Sequence, residues 1–268
     1  MAGPTPACRR PGPARGASPG SHAGGGRRSS SVSNRTRSRS GGAKRGRSKP
    51  GSDRDHVRVQ TARGRKSSST RWLSRQLNDP YVAEARKAGY RSRAAFKLTE
   101  LDDRFRFLRL GLRVVDLGAA PGGWTQVSVE RAGKGNVIAV DVSPMDPIVG
   151  AQAITADIMD EATVDSVLAS AADGVDVVLS DMAPAATGHR ATDHLRIVAL
   201  AEAAFDVAVR ILRPDGVFIA KVYQGGSEKV LLSKLKQAFH TVKHAKPEAS
   251  RRESAETYVI AIGFRESK

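Results

Sequence analysis

The chain has 268 residues and a formal net charge of +17, which leaves room for one large domain or two small ones. Its single cysteine, Cys8, excludes an intrachain disulfide and gives no argument for export. No apolar run approaches the length of about 18 residues that a membrane helix needs, and no apolar leader opens the chain.

The charge is unevenly placed. Residues 1–70 hold 17 Lys and Arg against Asp53 and Asp55, whereas residues 71–268 hold 27 against 25 acids. The first segment has no Phe, Tyr or Trp, and it contains Gly-Gly-Gly at 24–26 and serine runs at 29–31 and 67–69. It has too little apolar surface to offset the entropy of ordering, so it reads as a disordered basic tail. Two uses fit such a tail: sequence-blind, salt-sensitive attraction to a polyanion, or plain solubilisation. Its first 52 residues carry arginine and serine but no acid, loosely like an organelle transit peptide, yet they are rich in Gly, Pro and Ser rather than amphipathic. The expected location is cytoplasmic, with an organelle as the alternative.

From Trp72 the composition is that of a folded domain, assigned to residues 71–268. Residues 79–110 read as helical from the spacing of Tyr81, Ala85, Phe96, Leu98 and Leu101. Six apolar runs then read as strands: Val114–Leu117, Val137–Val140, Ala153–Thr155, Val175–Ser180, Val217–Val222 and Tyr258–Ile262. Helices fit between them at 124–132, 161–171, 192–212 and 228–239, and Arg213-Pro214-Asp215-Gly216 reads as a turn leading into the fifth strand. Continuous apolar strands alternating with helices predict an α/β fold with a doubly wound, mostly parallel sheet. Basic flanks at 71–113 and 221–252 enclose an acidic centre at 114–220. That pattern suits a polyanion at the rim of a cation-binding site, and it is also what ordinary surface scatter can produce.

Val114-Val115-Asp116-Leu117-Gly118-Ala119-Ala120-Pro121-Gly122-Gly123-Trp124 runs from strand through a glycine-rich turn into a helix, where ligands of doubly wound sheets bind. Asp141, 23 residues beyond Gly118, ends the second strand and can accept hydrogen bonds from both hydroxyls of a ribose. Asp157 ends the third strand, within reach of an adenine amino group. A dinucleotide is the competing ligand. Against it stand the spacing, which is not G-x-G-x-x-G, and Pro121, which removes an amide from the cradle. Asp116 adds negative charge that suits a ligand carrying an amine and a sulfonium.

Ser180-Asp181-Met182-Ala183-Pro184 follows the fourth strand, and Lys221 lies inside the apolar fifth, where an ammonium is costly to bury unless paired or neutralised. Adjacent strands bring Asp181 and Lys221 to one sheet edge. Lys97, in the helical Arg91–Leu98 stretch, and Glu256, just before the last strand, complete a candidate group. A solvated helix face for Lys97 and a polar turn for Glu256 are the plain alternatives. Burial and Lys97 would lower the pKa of Lys221 while Asp181 and Glu256 would raise it, and the sequence leaves the balance open.

These stretches resemble the FtsJ-like family of bacterial large-subunit ribosomal RNA methyltransferases. The likeness runs from about Arg91 to Gly263 and includes Phe96-Lys97-Leu98, Asp116–Trp124, Ser143–Gly150, Asp181–Pro184, Lys221-Val222-Tyr223-Gln224-Gly225 and the segment from Lys246-Pro247 to Tyr258. The resemblance implies a Rossmann-like class I methyltransferase fold and transfer of methyl from S-adenosylmethionine to a uridine ribose 2′-hydroxyl of 23S ribosomal RNA. It implies cofactor contacts at Gly122, Trp124, Asp141, Asp157 and Asp181. It also implies a catalytic set of Lys97, Asp181, Lys221 and Glu256 with Lys221 as proton acceptor, no metal, and a monomer acting on the large ribosomal subunit. Transfer RNA or a messenger cap is the alternative acceptor, and a non-catalytic RNA-binding assembly factor the alternative role. Two departures stand out: the tail before residue 71 exceeds the family's core pattern, and Ala185-Ala186 replace the asparagine usual after Asp-Met-Ala-Pro.

The +15 net charge of residues 1–70 generates a first expectation. Their removal weakens RNA binding and flattens its dependence on salt without altering donor affinity. Binding isotherms over a salt series check this, and equal slopes for full and truncated chains would refute it.

Overall fold

The computed structural model describes residues 57, 59–60, 64, 67–184, 187–223 and 229–266. The reading of residues 1–70 as a disordered tail lies almost wholly outside them, as do Ala185-Ala186 and Gln224-Gly225. Three helices come first: α1 (Ser67–Leu77), α2 (Pro80–Ala88) and α3 (Ala94–Phe105). The first begins four residues before the boundary placed at 71.

The single helical stretch expected at 79–110 is two helices with a break. Asp79 caps α2 by accepting from the Tyr81 amide (3.1 Å), and Pro80 takes the first position, where a helix has no use for an N–H. Gly89, at φ 79°, ends it and turns its amide back to the Arg86 carbonyl. Apolar spacing continues across this break, so periodicity alone does not register it. Lys97 stays helical, but Arg91–Arg93 form the turn before α3 rather than its first turn. After α3 the chain is tied down by buried Asp102, which accepts from the Leu108 amide (2.7 Å) and pairs with Arg131.

The alternating region follows as β1 (Val114–Leu117), α4 (Gly123–Ala132), β2 (Val137–Asp141), β3 (Ala151–Thr155), α5 (Glu161–Ser170) and β4 (Val175–Ser180). It continues through α6 (Arg190–Ile211), β5 (Leu212–Tyr223), α7 (Lys229–Ala238), β6 (Phe239–Ala245) and β7 (Glu256–Phe264). The sheet has seven strands in the order β3-β2-β1-β4-β5-β7-β6; β1 to β5 are parallel, and β7 lies antiparallel between β5 and β6. Only β6 was not expected. It is an edge strand carrying His240, Lys243 and His244, the polar composition that protects an open edge and hides a strand from an apolar count. The Arg213–Gly216 turn lies inside β5 as an irregularity: Leu212 pairs with Val175 and Val217 with Val177, with Asp215 at φ 64° between.

Alternation sorts the strand residues into two cores. Val115, Val178, Phe218, Ala220 and Val222 pack on the face that carries α5, α6 and α7. Val114, Val177, Leu179, Ile219 and Ile260 pack on the other, with Leu98 of α3 and Trp124 of α4. The sheet is therefore covered on both sides, as the doubly wound reading requires. Lys221 shares a face with Ile219, so its side chain runs through the α3/α4 core before reaching the sheet's edge. Among the described residues, no helix is long and apolar enough to cross a membrane.

Candidate active site

Strand order reverses between β1 and β4, which opens a crevice at their C-terminal ends. A cavity of about 540 Å³ lies there, with Gly118, Asp141, Asp157, Asp181, Met182 and Arg196 in its wall. Asp141, at the tip of β2, holds the loop after β1: Oδ2 accepts from the Ala120 amide (2.9 Å) and Oδ1 from the Ser143 amide (2.7 Å). Each oxygen keeps a second lone pair for a ligand hydroxyl. Asp157 accepts from the Met159 amide through Oδ1 (2.9 Å). The glycine at 118 is required by the protein itself, because a Cβ there would stand 2.5 Å from Met182 Cγ and 2.9 Å from Met182 Cα.

Gly122 and Trp124 are placed differently from the three acids, outside the cavity wall. A Cβ on Gly122 would meet Ile148 Cδ1 at 2.6 Å and Arg91 Nη1 at 3.1 Å. Arg91 in turn donates to the Asp146 (2.6 Å), Pro147 (2.8 Å) and Pro121 (3.3 Å) carbonyls, which clasps the glycine loop to the segment after β2. The Trp124 side chain is buried, with Nε1 donating to the Ala94 carbonyl (2.8 Å). Trp124 can therefore offer a ligand its main-chain amide, at the N-terminus of α4, but not its side chain, whereas the Gly122 amide already donates to the Ala119 carbonyl (2.7 Å).

Beside the cavity the structure brings Lys97, Asp181, Lys221 and Glu256 together from four separate elements. Lys221 Nζ lies 2.8 Å from Asp181 Oδ1 and donates to the Asp181 carbonyl at 2.7 Å. Lys97 Nζ lies 2.7 Å from Glu256 Oε1, which also accepts from the Ser250 hydroxyl (2.7 Å). Glu256 is the first residue of β7 rather than part of the preceding turn. Tyr258 joins the two pairs: its hydroxyl donates to Asp181 Oδ1 (2.7 Å) and accepts from Lys97 Nζ (3.3 Å). Sequence reasoning did not single out Tyr258, although a period of two along the strand places it on the face of Glu256.

The arrangement sets the charges. Burial pulls the Lys221 pKa down, but Asp181 and Glu256 outweigh it and hold the ammonium above its ordinary value. This answers the balance that the sequence left open. Burial pushes Asp181 up, yet Lys221 and Lys97 beside it keep the carboxylate below its usual range. Burial, with help from Asp181 and Glu256, drives the Tyr258 phenol far up, so it serves as a neutral donor. Behind the glycine loop, fully buried Asp116 accepts from the Thr125 hydroxyl (2.7 Å) through Oδ2, while Oδ1 has no hydrogen-bond partner. Burial and the charges of Asp181 and Asp141 push its carboxyl up to about 7, against the lowering effect of Thr125.

With this geometry in place, comparison with known proteins gives a consistent picture. The sequence profile described as FtsJ-like methyltransferase matches residues 90–264. The chain is 57% identical over 209 residues to the ribosomal RNA large subunit methyltransferase E of Gluconobacter oxydans, covering 78% of each chain. It is 56% identical over 217 residues to the protein of that name from Paramagnetospirillum magneticum, covering 79% of this chain and 89% of the relative. Among solved structures, one described as a ribosomal RNA methyltransferase from Plasmodium falciparum superposes with a TM-score of 0.58 at 30% identity. That match covers 65% of this chain and 98% of the other.

The burial of Asp116 has a measurable consequence for stability. Between an ordinary value of 3.8 and a folded value of about 7, the folded protein keeps a proton that the unfolded chain has released. This contribution is complete below the ordinary value of 3.8, is lost progressively as pH rises towards the folded value of about 7, and changes no further above it. Urea midpoints for wild type and Asp116→Asn, compared from pH 4 to pH 8, are expected to diverge in favour of the variant as pH rises. A constant difference would show that Asp116 is ionised throughout.

Proposed function

The chain belongs to the FtsJ-like methyltransferase family, and on that premise we propose that it moves a methyl group from S-adenosylmethionine to a ribose 2′-hydroxyl, that of a uridine in 23S ribosomal RNA. The substrate would be the large ribosomal subunit and the place of work the cytoplasm. The observation that carries this reading is the pairing of Lys97 with Glu256 and of Lys221 with Asp181 beside an acidic cavity.

The residues fit the donor. Three carboxylates face the cavity and Asp116 lies behind it, an environment suited to a ligand bearing a sulfonium and an ammonium. Asp141 is placed for ribose hydroxyls, Asp157 for the adenine amino group, and the first amides of α4, at Gly123 and Trp124, for a carboxylate. Bound there, the donor supplies a methyl group on positively charged sulfur, an electrophile that needs an oxygen nucleophile held in line with the breaking bond. The protein's own task is to hold the 2′-hydroxyl and take its proton. Lys221 Nζ is the acceptor, Asp181 orients it, and Lys97 with Glu256 frames the ribose. The amine must first lose the proton that the carboxylates favour, and the positive charge of the donor beside Asp181 opposes that hold.

Two tests follow. Asp141→Ala weakens donor binding by about 1.5–3 kcal/mol in calorimetry through loss of charge-assisted hydrogen bonds, and unchanged affinity would remove Asp141 from the donor site. Lys221→Ala abolishes methylation of large subunits taken from a deletion strain while donor binding survives. Lys221→Arg fails as well, because a guanidinium keeps its proton. Because Asp181 and Glu256 hold the Lys221 ammonium above its ordinary value, the neutral amine is the minor form at neutral pH, and the single-turnover rate is expected to climb as pH rises from about 6 to about 9. An arginine variant with near-normal rate would refute the proton-acceptor role.

A further inference from the structure

β5 and β7 pair with Lys221 opposite Tyr258 and Tyr223 opposite Glu256. Residues directly opposite in an antiparallel pair project from one face, as do residues two apart along a strand. These four side chains thus form one patch, and the chemistry above uses three of them. Tyr223 is the fourth. It is half-buried, and its hydroxyl lies within the fields of Lys221, Glu256, Asp193 and Asp181. Burial, reinforced by those carboxylates, holds the phenol above its ordinary value despite Lys221, so it carries no charge. His194 of α6 meets its ring in an edge-to-face pair, centroids 6.2 Å apart at 81°. At the inner end of the patch the rings of Trp124 and Tyr258 are buried, with centroids 5.5 Å apart. Tyr223 is therefore the ring of this patch that remains partly open to solvent.

We propose that Tyr223, buttressed by His194, is the stacking surface for the nucleobase of the nucleotide whose ribose is methylated. This rests on the ribosomal RNA reading above and adds a base contact to it. The base is attached to C1′, the carbon next to the reacting C2′ position. A ribose held against Lys221 and Glu256 therefore projects its base from the patch at close range. The α3 side is filled by Lys97 and the buried rings, whereas Tyr223 adjoins Glu256 on the next strand and offers an aromatic face. Stacking of unpaired bases on aromatic rings is the usual way a protein grips single-stranded RNA. A phenyl face accepts every base, so this contact supplies affinity and orientation rather than a choice of sequence. Edge-on contact with His194 limits rotation of the ring, which lowers the entropy lost when a base settles on it.

The test uses large ribosomal subunits from a strain lacking this chain, with Tyr223→Ala and Tyr223→Phe compared with wild type. Tyr223→Ala is expected to lower kcat/KM by about tenfold to a hundredfold, with donor affinity in calorimetry unchanged, and Tyr223→Phe to restore most of it. An alanine variant with near wild-type kcat/KM overturns the proposal. A phenylalanine variant as poor as alanine overturns it too, by assigning the effect to the hydroxyl. If the alanine variant fails to fold, cross-linking decides. Irradiation of wild-type protein on subunits carrying 4-thiouridine is expected to join the acceptor base to Tyr223, and cross-links found only elsewhere in the chain refute the stacking role. Absence of any ribosomal RNA methylation by wild type refutes the reading beneath it instead.

Discussion

A lysine ammonium enclosed by a β-sheet is the constraint around which the site is organised. Lys221 is 7% exposed, and a charge so enclosed is tolerated only beside an opposite charge and hydrogen-bond acceptors. Asp181 supplies the carboxylate and the carbonyl, which requires β4 to end where β5 still continues. Asp181, largely enclosed in the cavity wall, depends on Tyr258 as well as on Lys221. Tyr258 then needs Lys97, and Lys97 needs Glu256. Removal of any one member leaves another buried group without its partner, so the cluster holds together as a unit. That interdependence serves chemistry as well as stability, since a reacting oxygen must be held by groups that do not drift.

The glycine loop obeys a second constraint, crowding by the protein rather than by a ligand. Gly118 is pressed by Met182, and Gly122 by Ile148 and Arg91. Arg91 gathers the carbonyls of Pro121, Asp146 and Pro147, so the turn before α4 and the segment after β2 are tied to the chain entering α3. The same short segment that fixes the loop also carries Lys97 six residues later. Donor cavity and proton acceptor are thereby positioned by one piece of backbone.

Much of this architecture is legible in the residues. Val114–Leu117, Val137–Val140 and Val175–Ser180 announce themselves because strands covered on both faces are apolar throughout. Lys221 is conspicuous for the opposite reason, as a charge inside such a run. β6 is harder to see, because its edge position permits the charged residues that disguise it. The break between α2 and α3 is concealed by apolar spacing that continues through it, and only Gly89 marks the cap. In the site, the four ionisable residues are visible as residue types at strand and helix positions. The pairing of Lys221 with Asp181 follows from the adjacency of β4 and β5, whereas that of Lys97 with Glu256 depends on the antiparallel register of β7, which no local pattern encodes. The linking role of Tyr258 emerges from that register as well.

The position of β7 also bears on how the chain acquires its fold. It is the last strand in sequence, Glu256–Phe264, yet it lies inside the sheet between β5 and β6. During vectorial synthesis β5 must wait with an unpaired apolar edge while α7, β6 and the following turn are made. Such long-range pairings are slow to form, and an exposed apolar edge is a template for association with other chains. The final insertion covers that edge and, in the same step, delivers Glu256 and Tyr258 to Lys97 and Asp181. Closure of the sheet and assembly of the polar cluster are one folding event, so a nascent or C-terminally clipped chain would lack both together.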